Sequence, residues 1–251
     1  MKLLLDLGNT RLKWAVLDRG TRIAQGAVAW NDDVESVLAQ AWGALDGVAH
    51  VYGASVVDTA KEARVEAMAN AILARHVFWL RTPAEACGVR SAYAEPERLG
   101  VDRFLAMVSA YHDADAPCVL VGVGTALTLD ALDGDGRHLG GLIAPGPQLM
   151  QQSLWGATAR LHPEPGRVLD AADNTADAIA SGCWQAAVAL VERFAARMSS
   201  QLGSAPRIIL GGGDAAQLQP LLAMPAQLAE DSVLRGLAVW AEAHSTTMPP
   251  L

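Results

Sequence analysis

The strongest constraint on the fold of this chain is a pattern that it contains twice. Near the start, the apolar run Lys2–Leu5 ends in the turn-forming segment Asp6-Leu7-Gly8-Asn9-Thr10. Leu12–Leu17 reads as a second strand, Asp18-Arg19-Gly20 turns the chain, and Thr21–Ala29 returns. In the second half, Pro117–Val123 runs into Gly122-Val123-Gly124-Thr125, Ala126–Leu132 follows, Asp133-Gly134-Asp135-Gly136 turns, and His138–Ile143 returns. Gly8 lies ten residues before the turn at Asp18, and Gly124 nine before the turn at Asp133. Each glycine turn thus joins the first two strands of a three-stranded meander.

Helices and strands alternate after each meander. In the first half, Asn31 is the expected cap of a helix with Asp32, Asp33 and Glu35 in its first turn. Val34, Val37, Leu38, Ala41, Trp42 and Leu45 recur at helical spacing along it. His50–Ser55 is a strand, Thr59 and Glu62 have capping-box spacing for a helix to about Arg75, and Val77–Leu80 is a strand. The second half has helical patterns at Gln148–Ala159 and Asn174–Gln201, a strand at Arg207–Leu210, and a last helix capped by Asp231 or Ser232. The repeat predicts two α/β domains, 1–114 and 115–251, facing each other so that each aims its first turn into a shared cleft.

Composition narrows the function. Of 251 residues, 51% are hydrophobic and 18% charged, which excludes a disordered chain. Acidic residues outnumber basic ones, 27 to 19, for a net charge of −8. Such a chain lacks the basic surface from which nucleic-acid affinity comes. No uncharged apolar run is long enough to span a membrane, and Asp6 follows the opening apolar residues too soon for a secretory signal. Cys87, Cys118 and Cys183 are too far apart for a zinc site and fit a reducing compartment, so a cytoplasmic protein is expected. The six histidines form no HExxH and there is no GxSxG, so neither a catalytic metal centre nor a serine hydrolase is indicated.

Four segments have residues suited to chemistry. In Asp6-Leu7-Gly8-Asn9-Thr10-Arg11-Leu12-Lys13, a tight turn exposes N–H groups to a phosphate, Thr10 and Asn9 add donors, Lys13 adds a charge, and Asp6 suits Mg²⁺. An ordinary hairpin turn with a surface lysine fits the same residues. Gly122-Val123-Gly124-Thr125 is a second phosphate turn or a glycine turn in a tight sheet. Gly211-Gly212-Gly213 leaves room for a flat ring, or is a flexible loop. In Gly100-Val101-Asp102-Arg103, Asp102 is either a helix cap or a general base, and Arg103 an anion clamp. Asp173-Asn174-Thr175 reads as the start of the long helix.

In order and spacing, these motifs resemble the type III pantothenate kinases, of the acetate-and-sugar-kinase and actin superfamily. The resemblance also rests on Gly140-Gly141-Leu142-Ile143-Ala144-Pro145-Gly146, Thr175–Gly182 and Leu210–Gly213, and runs the length of the chain. It implies duplicated ribonuclease H-like, actin-like domains and ATP-dependent phosphorylation of pantothenate, the entry step to coenzyme A. It implies that Asp6, Leu7, Gly8, Asn9, Thr10, Arg11, Leu12 and Lys13 hold the ATP phosphates with Asp6 nearest Mg²⁺, and that Thr125 contacts a phosphate. Asp102 is then the proton acceptor, and Tyr93, Gly100, Val101, Arg103 and Thr175 line the pantothenate site. A homodimer is implied as well. The family also contains accessory factors of virulence regulators, so a non-catalytic regulatory protein is the alternative, with a kinase for another small hydroxyl substrate beside it. One position departs: the family's second phosphate motif opens with an Asp that holds K⁺ or ammonium, and this chain has Gly122 there.

Overall fold

The computed structural model describes residues 1–158 and 161–244. The chain forms two compact units, one of Met1–Ala114 together with the segment from Asp231 onward, the other Asp115–Glu230. In the first, β1 (Lys2–Leu7), β2 (Arg11–Asp18) and β3 (Thr21–Ala29) make the antiparallel meander. After α1 (Val34–Gly43), β4 (His50–Ser55) pairs parallel with β1; after α2 (Thr59–Leu73), β5 (Val77–Leu80) pairs parallel with β4. The small hairpin of β6 (Glu85–Ala86) and β7 (Val89–Arg90) leads to α3 (Val101–His112).

The second unit repeats the plan. Its meander is β8 (Cys118–Val123), β9 (Ala126–Leu132) and β10 (His138–Pro145). Helices α4 (Pro147–Ala157) and α5 (Thr175–Leu202) precede β11 (Arg207–Gly211), and α6 (Ala215–Leu218) precedes β12 (Ala226–Leu228). The sheet orders are β3-β2-β1-β4-β5 and β10-β9-β8-β11-β12, with the same strand directions at each equivalent pair. This is the ribonuclease H-like arrangement, duplicated.

Strand alternation sorts each sheet into two faces. Leu3, Leu5 and Leu7 of β1, with Leu12, Trp14 and Val16 of β2, pack under α1 and α2. The opposite face carries Leu4, Asp6, Lys13, Ala15 and Tyr52. It is covered by α3 and by α7 (Ser232–Ala243), the last helix. In the second unit Val119, Val121, Leu127 and Leu129 pack under α5 through Trp184, Ala187 and Val191.

The structure corrects three expectations. First, the expected boundary puts α7 in a domain running to residue 251, but α7 belongs to the first unit. Its buried Leu234, Leu237 and Trp240 need an apolar partner, which Tyr52 and Phe78 supply with ring centroids 5.8 and 5.5 Å from Trp240. Second, α1 is capped by Asp33 rather than Asn31, since Asp33 Oδ1 accepts the Ser36 N–H at 3.1 Å. Third, α2 is capped by Asp58, which accepts the Lys61 N–H at 2.9 Å, so Glu62 turns instead to Arg81 at 2.7 Å. The expected end of α4 at Ala159 lies outside the described residues.

Gly236 lets α7 and α3 approach. A Cβ there would stand 2.0 Å from the Leu105 carbonyl oxygen, a backbone atom that cannot turn aside. Gly236→Ala is therefore expected to cost about 1–3 kcal/mol or more by overpacking. That corresponds to a fall in Tm of roughly 3–10 °C for a chain of this size. An unchanged thermal melt would contradict this packing.

Candidate active site

Asp6 is at the carboxyl end of β1, where ligands bind in open α/β sheets. Lys13 is its cross-strand partner on β2, so alternation puts both on the face covered by α3 and α7. Between them the Gly8 N–H donates to the Arg11 carbonyl at 3.1 Å and closes the turn. Trp30 fastens that turn from outside. Its backbone N–H donates to the Thr10 carbonyl at 3.2 Å and its indole N–H to the Gly8 carbonyl at 2.7 Å.

The first turn of α3 brings Asp102 to the same region. The helix is capped by Gly100, whose backbone is non-helical, so Asp102 is not the cap that the sequence also allows it to be. Asp102 Oδ1 accepts the Arg103 N–H at 2.8 Å and occupies the space beside Gly100, where a Cβ would meet it at 2.5 Å. Arg103 is buried, and its Nη1 donates to the Tyr93 hydroxyl at 3.3 Å. The first turn of α3 and the Tyr93 loop are thereby joined.

These positions set the charge state of Asp6. Burial, then the Asp102 charge, pushes its carboxyl up to about 7; Lys13 pulls it down and Asp231 raises it again. Two carboxylates that approach in a partly desolvated site cannot both stay ionised cheaply. Asp231 itself holds Lys13 Nζ at 3.1 Å and Arg22 Nη1 at 3.2 Å.

In the second unit the Gly124 N–H donates to the Ala126 carbonyl at 3.1 Å, with Thr125 exposed at the tip of the turn. The Asp214 N–H donates to the Val123 carbonyl at 3.1 Å, which ties the Gly211–Gly213 loop to that turn. Gly122 pairs with Thr128 as Asp6 pairs with Lys13, two residues before the turn glycine in each case. Thr175 opens α5, capped by Asn174. Asp177 binds the Arg167 N–H at 2.7 Å and the Asn174 amide at 2.9 Å. These bonds and the Arg167 guanidinium hold the Asp177 carboxyl down at about 2. Thr175 lines a cavity of about 800 Å³ with Met150, Leu154, Asn174, Ile179 and Cys183.

Of the expected residues, Asp6, Lys13, Tyr93, Gly100, Val101, Asp102 and Arg103 are thus in the first unit, and Thr125 and Thr175 in the second. Three contributors went unread in the sequence. Trp30 is one of seven tryptophans with no motif around it, Asp177 is one acidic residue in a helical first turn, and Asp231 had only a capping signature.

Solved structures that share this fold include a conserved Baf family protein from Campylobacter jejuni and the ROK hexokinase from Thermus thermophilus. The first has a TM-score of 0.62 at 19% identity, covering 97% of this chain and 99% of that one. The second has a TM-score of 0.54 at 14% identity, covering 98% and 99%. The molecule thereby has the duplicated ribonuclease H-like, actin-like fold. Residues 2–197 match the family Type III pantothenate kinase. A protein of that name from Laribacter hongkongensis is 43% identical over 238 residues, 95% of this chain and 97% of its own. Another, from Xanthomonas campestris pv. campestris strain B100, is 45% identical over 240 residues, 95% and 96%. This chain belongs to the type III pantothenate kinase family.

Among the described residues no helix is long and apolar enough to cross a membrane.

Proposed function

We propose that the protein transfers the γ-phosphoryl group of ATP to pantothenate, giving ADP and 4′-phosphopantothenate at the start of coenzyme A biosynthesis. The observation that carries this reading is the placement of Asp6 and Lys13 as cross-strand partners beside the Gly8 turn, close enough to Asp102 for its charge to act on Asp6. The octet Asp6–Lys13 holds the phosphates. The donor set suits Mg²⁺: Asp6, pushed up to about 7 by burial and the Asp102 charge, would gain from a divalent ion the counter-charge that Lys13 does not fully supply. Among the described residues no group of three or more His, Cys, Asp or Glu is placed to cage a metal. Such an ion would accompany the nucleotide, with Asp6 as the protein group that would hold it, directly or through water. When bound, it neutralises charge on the phosphates.

Asp102 orients the pantothenate hydroxyl and accepts its proton as the oxygen bonds to the γ-phosphorus. The bond from that phosphorus to its bridging oxygen breaks, and ADP leaves with the electron pair. Arg103, held by Tyr93, is the anion clamp of the acceptor site. Gly100 and Val101 line that site in the first unit; in the second unit, Thr175 is assigned to substrate binding and Thr125 to phosphate binding on the family resemblance. The enzyme acts as a homodimer in the cytoplasm. The exposed Leu142, Ile143, Leu149 and Leu154 on β10 and α4 are the apolar surface that a second copy would bury, and its three cysteines are free thiols. A coupled assay of ADP release tests the reaction. Turnover is expected only with pantothenate, and ADP release that is indifferent to pantothenate would refute it.

Gly122 supports a further expectation about cations. Without a carboxylate at that position, turnover should change less than about threefold among K⁺, ammonium and Na⁺ salts of equal ionic strength. A strong, saturable requirement for one of them would overturn this. Gly122→Asp is the complementary variant. The Gly122 backbone is not left-handed, but a Cβ would meet Thr128 Oγ1 at 2.5 Å, so the variant is best made together with Thr128→Ala. The double variant should acquire the cation dependence that the parent lacks.

A further inference from the structure

Asp231 holds the N-cap position of α7, and its carbonyl accepts the Arg235 N–H at 2.9 Å, yet its carboxylate takes no part in the cap. Its side chain makes no capping hydrogen bond, and its backbone is left-handed, with φ 50° and ψ 32°. That conformation is uncommon for a residue other than glycine and is tolerated best by Asn and Asp. The carboxylate instead faces two cations of the meander. Oδ1 is 3.1 Å from Lys13 Nζ and Oδ2 is 3.2 Å from Arg22 Nη1. Lys13 closes the phosphate octet and is the cross-strand partner of Asp6.

We propose that Asp231 is the acceptor with which nucleotide phosphate competes for Lys13: it holds the ammonium before the nucleotide binds and takes it back as ADP leaves. The inference rests on the octet being the phosphate site. Arg22 completes the device, because it stays on the second oxygen of Asp231 and leaves that carboxylate compensated while Lys13 serves a phosphate. A lysine suits this exchange, since its ammonium is a compact point charge on a flexible stem. Asp231 is a positioning residue in this scheme and touches no reacting atom. Removing its charge should strengthen ADP binding, whereas removing an ordinary structural ion pair would only lower stability.

The test is ADP affinity with Mg²⁺ present, measured by calorimetry on the full-length protein, for Asp231→Asn, Lys13→Gln and the double variant. Asn keeps the left-handed backbone, so only the charge is lost. Asp231→Asn should bind ADP about fivefold tighter, which is what a partly exposed ion pair of about 1 kcal/mol converts to. Lys13→Gln should bind more weakly. In the Lys13→Gln background the same Asp231→Asn change should shift affinity by less than about twofold, because Arg22 already balances the through-space charge. Asp231→Gly, which relaxes the backbone, should reproduce the tighter binding with no fall in Tm. Weaker or unchanged ADP binding in Asp231→Asn overturns the proposal, and so does equal tightening in both backgrounds. If Lys13→Gln alone leaves ADP affinity unchanged, the phosphate reading of the octet fails, and the exchange with it.

Discussion

An Asp102→Asn enzyme is expected to turn over on the order of 10²–10⁴ times more slowly than the parent, the usual span for a general base. Structure makes this substitution a clean one. Gly100, not Asp102, caps α3, so no cap is lost. The Asn side-chain oxygen can still accept the Arg103 N–H that Asp102 Oδ1 accepts at 2.8 Å. What disappears is the capacity to take a proton. The KM for pantothenate should change far less than kcat, and Tm should not fall, since losing the Asp102 charge relieves ionised Asp6. Steady-state kinetics with a thermal melt decide the matter. Near-parental kcat would mean that Asp102 is not the proton acceptor.

Asp6→Asn should move stability and activity in opposite directions. The carboxyl of Asp6 titrates at about 7 in the folded protein against 3.8 ordinarily. The folded state therefore holds a proton that the unfolded state has already released. Stability of the nucleotide-free protein falls as pH rises from about 4 to about 7 and then levels off, because the ionised carboxylate is disfavoured by burial and by Asp102. Asn carries no such penalty. At pH 8 the variant should be more stable by about 2–4 kcal/mol. In a melt this appears as a Tm higher by roughly 4–12 °C. The difference should vanish near pH 4. Turnover should meanwhile drop by on the order of 10² or more, since the amide cannot replace a carboxylate toward Mg²⁺. A variant less stable than the parent at pH 8 would show that Lys13 outweighs burial and Asp102. It would also remove the reason for assigning a cation to Asp6.

Local sequence determined the repeated meander and much of what stands on it. Thr21–Ala29, His50–Ser55, Val77–Leu80 and Ala126–Leu132 are strands over the residues that the pattern assigns them. Strand periodicity and turn residues are encoded within a few positions, so they survive any rearrangement elsewhere. The same alternation placed Asp6 opposite Lys13, because a hairpin that closes at Gly8 leaves no other register. The motifs of the octet and of Gly100–Arg103 were legible for the same reason.

Other features depend on which surfaces meet. The strands β6, β7 and β12 are two or three residues long and have no periodicity to read. The caps of α1 and α2 were decided among neighbouring acidic and polar residues by which side chain reaches a free N–H, a choice that spacing does not make. The sequence of α7 is as apolar as that of a helix in either unit, and only the fit of Trp240 to Tyr52 and Phe78, with Gly236 against Leu105, joined it to the first. That docking also carries Asp231 to Lys13 across 218 residues of sequence. The approach of Asp102 to Asp6 is likewise long-range, and after burial, the larger cause, it raises the Asp6 carboxyl further. Sequence determined which chemical groups this protein has; tertiary packing decided which charges stand close enough to change one another, because electrostatic coupling depends on distance and burial rather than on order along the chain.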